Sequence, residues 1–155
     1  MEGMTYPANR NIFILYRYNQ RFFQKKLEEY GLEMDLGQLP VYIYVYNHPG
    51  AVQEKIAART YLDKGTVARA IQRMEKGGFA FRETDEADRR VNHVYLTKKA
   101  KEAYPAIQKA MEELHGVLYG GMTEEETATI LRLLARMKDN MDAYFDVPRE
   151  TESPK

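Results

Sequence analysis

The sequence contains no cysteine, which excludes disulfides, thiolate metal sites, cysteine nucleophiles and thiol redox switches. Serine is almost as scarce: the single one, Ser153, lies near the end of the chain, so serine hydrolase chemistry is excluded as well. Charge of one sign is also missing. Twenty-three Lys plus Arg meet 23 Asp plus Glu for a net charge of zero, which rules out a uniformly basic coat. No apolar run approaches the roughly 20 residues that cross a bilayer, and residues 41–46 form one of the longest. None of the ten glycines falls in a GxGxxG or P-loop pattern, and His48, His93 and His115 form neither HExxH nor a paired ligand set. The expectation is a protein that is not an enzyme and has no metal and no cofactor. The start, with Glu2 and Pro7 and no apolar run behind a basic stretch, does not read as a signal peptide. The expected location is the cytoplasm, with no membrane partner.

What is present suits one soluble globular unit: 155 residues, 44% of them hydrophobic and 30% charged. The neutral total conceals a partition. Residues 1–37 carry five basic and five acidic side chains, residues 38–100 carry 11 and 7, and residues 101–155 carry 7 and 11. A basic middle between a neutral and an acidic arm points to a polyanion as the partner of the middle segment.

Apolar Ile12, Leu15, Tyr16, Phe22, Phe23 and Leu27 recur at mostly three- to four-residue spacing and predict an amphipathic helix over 11–30, ended at Gly31. Residues 41–46, alternating Val or Ile with Tyr, favour a strand by propensity alone. Pro40 before them suits a helix's first turn, however, and Asn47 to Gly50 form a stop, so the segment reads as a buried helix. Two short helical patterns follow over 52–59 and 64–76, joined by a tight turn, which makes a helix-turn-helix. In the second, Val67, Ala70, Ile71 and Met74 share one face, and Gly77 and Gly78 end it. Residues 79–84 and 91–96 read as a hairpin whose tip, 85–90, is charged. Thr97 can cap a further helix, which Pro105 is expected to bend unless it begins later. Thr123 and Glu126 match a capping box, and Ile130, Leu133, Leu134, Met137 and Met141 trace an apolar stripe on the helix that follows. Glu124, Glu125 and Glu126 could suggest a carboxylate site, but in a first helical turn they favour the helix dipole. There is no internal repeat.

A recognition helix needs small or polar residues at its start to reach base edges and cations farther along for phosphates. Lys64, Gly65, Thr66, Arg69 and Arg73 meet that need, with a solvated basic face as the plainer alternative. The hairpin tip adds Arg89 and Arg90, guanidinium groups for a minor groove, and Asp88, a carboxylate able to hold Arg90 in position.

Over residues 9–146 the chain resembles the MarR-type winged-helix transcriptional regulators. The resemblance rests on Leu62-Asp63-Lys64-Gly65-Thr66-Val67-Ala68-Arg69, on Met74-Glu75-Lys76-Gly77-Gly78-Phe79, on Asp88-Arg89-Arg90, on Leu96-Thr97, and on Gln38. It implies a mostly α (α+β) fold: an N-terminal dimerisation helix in 1–34, a winged helix-turn-helix in 35–100, C-terminal dimerisation helices in 101–147 and a flexible tail in 148–155. It implies a homodimer with Ile12, Ile130, Leu133, Leu134, Met137 and Met141 at the interface, bound to double-stranded DNA at a palindromic operator whose half-sites are about ten base pairs apart. Thr66 and Arg69 would then face bases, Lys64 and Arg73 phosphates, and Arg90 the minor groove. Gly65 departs from the serine or other polar residue of many relatives, so a contact is missing there. Family members commonly release DNA when a phenolic or other small aromatic effector enters a cleft beside the dimerisation helices. Tyr16, Tyr42 and Tyr46 could line such a pocket, with core packing as the alternative. Zinc sensing by the histidines, known in some relatives, is the less favoured reading. The expected function is that of a repressor, with a winged helix that binds an acidic protein partner as the rival.

Overall fold

The computed structural model describes residues 7–148 and divides the chain into two compact units at Leu114 and His115. In the first, α1 (Pro7–Glu29) begins four residues before the predicted start and ends ahead of Gly31. The Val/Tyr segment folds as α2 (Leu39–Asn47), with Pro40 in its first turn. Tertiary burial decides this against propensity. Val41, Tyr42 and Val45 lie in the core, a spacing that one helical face provides and one face of a strand cannot. The Tyr42 hydroxyl donates to the Ala100 carbonyl at 2.6 Å, so the one polar atom on that ring is satisfied, and burial pushes its pKa up.

The helix-turn-helix consists of α3 (Gln53–Thr60) and α4 (Lys64–Lys76). Between them Tyr61 adopts a left-handed conformation, φ 59°, which closes the turn. Val67, Ala70, Ile71 and Met74 are the buried face of α4, as their spacing predicts. The chain leaves α4 through Gly78 at φ +75°, and the Phe79 amide donates back to the Met74 carbonyl at 2.8 Å.

The hairpin comprises β2 (Ala80–Thr84) and β3 (Asn92–Leu96), paired antiparallel from Ala80↔Leu96 to Thr84↔Asn92. A third strand, β1 (Ala51–Val52), lies on the other side of β3, giving the order β1-β3-β2. The sequence pattern predicts the start of a helix at Val52. Instead that residue is extended and α3 begins one position later, because Gly50 donates to the Val94 carbonyl and Ala51 and Val52 pair with β3. On β2 only Ala80 is buried, so it is an edge strand without the expected alternation.

Helix α5 (Lys98–Leu118) runs through Pro105. Thr97 tethers its start: its hydroxyl accepts from the Ala100 amide and donates to the Gly78 carbonyl. In the second unit, α6 (Glu124–Tyr144) starts at a complete Thr123/Glu126 capping box. The tail expected from 148 onward lies, save for Pro148, outside the described residues.

Candidate nucleic-acid interface

Helix α4 is organised at its first turn by Asp63. Its carboxylate accepts from the Thr66 amide at 2.8 Å and from the Thr66 hydroxyl at 2.6 Å, a cap of the kind that contributes about 1 kcal/mol. These bonds hold the Asp63 carboxyl below the usual carboxylate range, with Arg69 adding to the shift. The Thr66 oxygen in turn accepts from Arg69 Nη2 at 3.2 Å. The hydroxyl proton of Thr66 is thus committed to Asp63. Gly65 makes room for this arrangement: a Cβ there would lie 3.2 Å from Arg69 Nη1. The missing side chain lets the guanidinium fold back over the helix start.

Lys64 and Arg73, on the same helix, are paired as well. Lys64 lies 3.4 Å from Glu54 with both side chains largely in solvent, and Arg73 Nε lies 3.4 Å from Asp35 Oδ2. Exposed pairs of this sort contribute about 0–1 kcal/mol, little enough for a phosphate to displace or share them. Lys64, Gly65, Arg69 and Arg73 are exposed and Thr66 is half-buried, so the structure gathers all five on one accessible helix.

The wing tip is a set of carboxylate-built turns. Asp85 Oδ1 accepts from the amides of Ala87 and Asp88. Asp88 then accepts from the Arg90 amide at 3.0 Å, from Arg90 Nε at 3.1 Å and from Arg90 Nη2 at 3.3 Å. That bidentate grip holds the Asp88 carboxyl below its ordinary range. It also orients a guanidinium that is otherwise 91% exposed, while Arg89 beside it is exposed.

His93, on β3, places Nδ1 2.8 Å from the Gly50 carbonyl and Nε2 2.7 Å from Asp85 Oδ2. Both partners only accept, so the geometry calls for a proton on each ring nitrogen. The Asp85 carboxylate accordingly raises the His93 pKa, and His93 lowers that of Asp85. The wing base is thereby strapped to the turn after α2. That turn is close-packed, since Gly50 has φ +82° and a Cβ there would lie 2.9 Å from the Tyr95 hydroxyl. No group of three His, Asp or Glu among the described residues could hold a metal ion.

Of the three tyrosines expected to line an effector pocket, Tyr42 and Tyr46 both lie beside Tyr104, and Tyr16 is on α1. Tyr42 is in the core, Tyr46 stacks on Tyr104 with ring centroids 3.5 Å apart, and Tyr16 is exposed on α1 beside Gln20. A cleft between Gly31, Leu32, Glu33, Phe79, Lys99 and Ala103 is lined by other residues. Ile12 on α1 and Ile130, Leu133, Leu134, Met137 and Met141 on α6 are all exposed in the single chain. Asp63, Asp35 and Asp85, which shape the interface, were not among the sequence-derived candidates. Asp63 had a readable signal, an Asp just before a helical pattern; Asp35 and Asp85 had none.

The sequence pattern of the MarR family matches residues 34–91. The uncharacterized HTH-type transcriptional regulator YybA of Bacillus subtilis (strain 168) is 34% identical over 120 residues, covering 77% of this chain and 80% of its own. The crystal structure of a MarR transcriptional regulator from Methanosarcina mazei Go1 superposes with a TM-score of 0.79 at 34% identity, over 88% of this chain and 96% of that one. Streptococcus pneumoniae FabT, solved in complex with DNA, shares the fold at 19% identity, with a TM-score of 0.69 over 88% of this chain and 98% of its own. Among the described residues no helix is long and apolar enough to cross a membrane.

Proposed function

We propose, from the premise that the chain belongs to the MarR family of transcriptional regulators, that it binds a palindromic operator as a homodimer and represses transcription until a small aromatic effector releases it. The observation that carries the reading is the pairing of an exposed, Asp63-capped α4 bearing Thr66 and Arg69 with a wing whose Arg90 is held by Asp88. One element supplies groups for base edges in a major groove. The other supplies a pre-oriented cation for a minor groove. Residues 35–100 would be the DNA-binding part, with 1–34 and 101–147 the dimerisation helices.

The exposed apolar stripes support the dimer. Six large apolar side chains on α1 and α6 stand in solvent, and burying each contributes up to about 1.5–3 kcal/mol. A second copy offering the same stripes is the symmetric way to cover them. For the effector, support is narrower. The half-buried Tyr46–Tyr104 stack next to Tyr42 is an aromatic cluster of the chemistry that would suit a ring-shaped ligand.

Duplex binding measured against salt tests the reading. Several phosphate contacts predict a log–log slope of about −0.9 per contact. A flat salt dependence on duplex DNA, together with binding to an acidic polypeptide, would replace the regulator by a protein-contact module.

A further inference from the structure

The segment joining α1 to α2 reaches the far half of the recognition helix through one carboxylate. Asp35 Oδ1 accepts from the Gln38 amide at 3.2 Å, and Oδ2 accepts from Gln38 Nε2 at 3.2 Å. Gln38 is itself only 6% exposed, so the carboxylate is anchored from beneath by a side chain that cannot follow it outward. The other face of the carboxylate meets Arg73, with Nη2 3.4 Å from Oδ1 and Nε 3.4 Å from Oδ2. Between them Gly37 leaves a slot, for a Cβ there would lie 2.8 Å from Arg73 Nη2 and 3.1 Å from Asp35 Oδ1.

We infer that Asp35 is a positioning residue for Arg73, which fixes the guanidinium in one orientation and so sharpens discrimination between the operator and unrelated duplex. The inference rests on the DNA-binding reading above. A side-on carboxylate occupies Nε and one Nη2 proton and leaves Nη1 and the second Nη2 proton for a phosphate. Held this way, Arg73 meets a phosphate only where the duplex lies in the register that α4 sets. Released, it becomes a cation on a flexible stem that can reach the phosphates of any duplex, with no sequence information. Net attraction to DNA is retained on release, and selectivity is lost.

Two variants separate orientation from charge. Asp35→Asn removes the charge but keeps an acceptor for the Gln38 amide. Gly37→Ala keeps every charge and wedges a methyl group between the two partners, 2.8 Å from Arg73 Nη2 and 3.1 Å from Asp35 Oδ1, which parts the guanidinium from the carboxylate. Dissociation constants for the duplex most enriched by the unaltered protein from a random library and for a scrambled duplex of the same composition, measured at one salt concentration, give the selectivity ratio. We expect each variant to lower that ratio about two- to fivefold, the range of one exposed ion pair, through tighter binding to the scrambled duplex. In an Arg73→Ala background neither change should move the ratio. An unchanged ratio in both single variants, or the same shift with and without Arg73, would overturn the inference and leave the regulator reading standing. An unaltered protein with no preference for any duplex would overturn both.

Discussion

Arg69 and Arg90 are held by acceptors on the chain itself, Thr66 in one case and Asp88 in the other, but they are asked to do different things. Arg90→Ala should weaken binding to every duplex and reduce the magnitude of the salt slope by about one. Arg69→Ala should cost the operator about 1–3 kcal/mol and relax preference at one base position. Fluorescence anisotropy on matched and mismatched duplexes over a salt series separates the two, and equal, negligible losses would refute the assignment. The candidate cations were legible in the sequence because the resemblance fixes their register. Their partners were not, since Asp35 pairs with a residue 38 positions away. In sequence Gly65 looks like a lost contact; in the structure it makes the space that Arg69 occupies.

Among the elements, α4 was the most readable, its bounds of Lys64–Lys76 matching the pattern because capping and glycine stops are local signals. Asp63→Ala should lower stability by about 1 kcal/mol, read as a drop in Tm, and should loosen Thr66 and Arg69 with it. Strand β1 was unreadable: two residues, Ala51 and Val52, carry no periodicity, and only their pairing with β3 makes them a strand. The wing they belong to is expected to respond to pH. His93 has its pKa raised and Asp85 its own lowered. The histidine's share of the strap is therefore complete below the ordinary value of about 6.5 and is lost as pH rises through the raised one. The share from Asp85 is present above the ordinary carboxylate value of about 3.9 and is lost as pH falls through the lowered one. An NMR titration should place the His93 midpoint above about 6.5, and Asp85→Asn should bring it down; an unmoved midpoint would contradict the strap.

For the whole molecule, the apolar stripe of α6 was plain in the sequence, but spacing alone could not say whether it faces its own core or a second chain. In the single chain Leu134 is 44% and Met137 42% exposed, which favours the second. Leu134→Glu would place a charge in that contact. It should shift the sedimentation profile from dimer to monomer and abolish operator binding; a variant that stays dimeric and still binds would move the interface elsewhere. As proposed, two copies of the chain together read a two-fold symmetric DNA sequence, each through α4 and the wing. Selection from a random duplex library at near-physiological salt, followed by sequencing, tests it most directly. The expected result is an enriched palindrome with half-sites about one helical turn, or ten base pairs, apart. Bulk, salt-sensitive binding with no enriched sequence would contradict it.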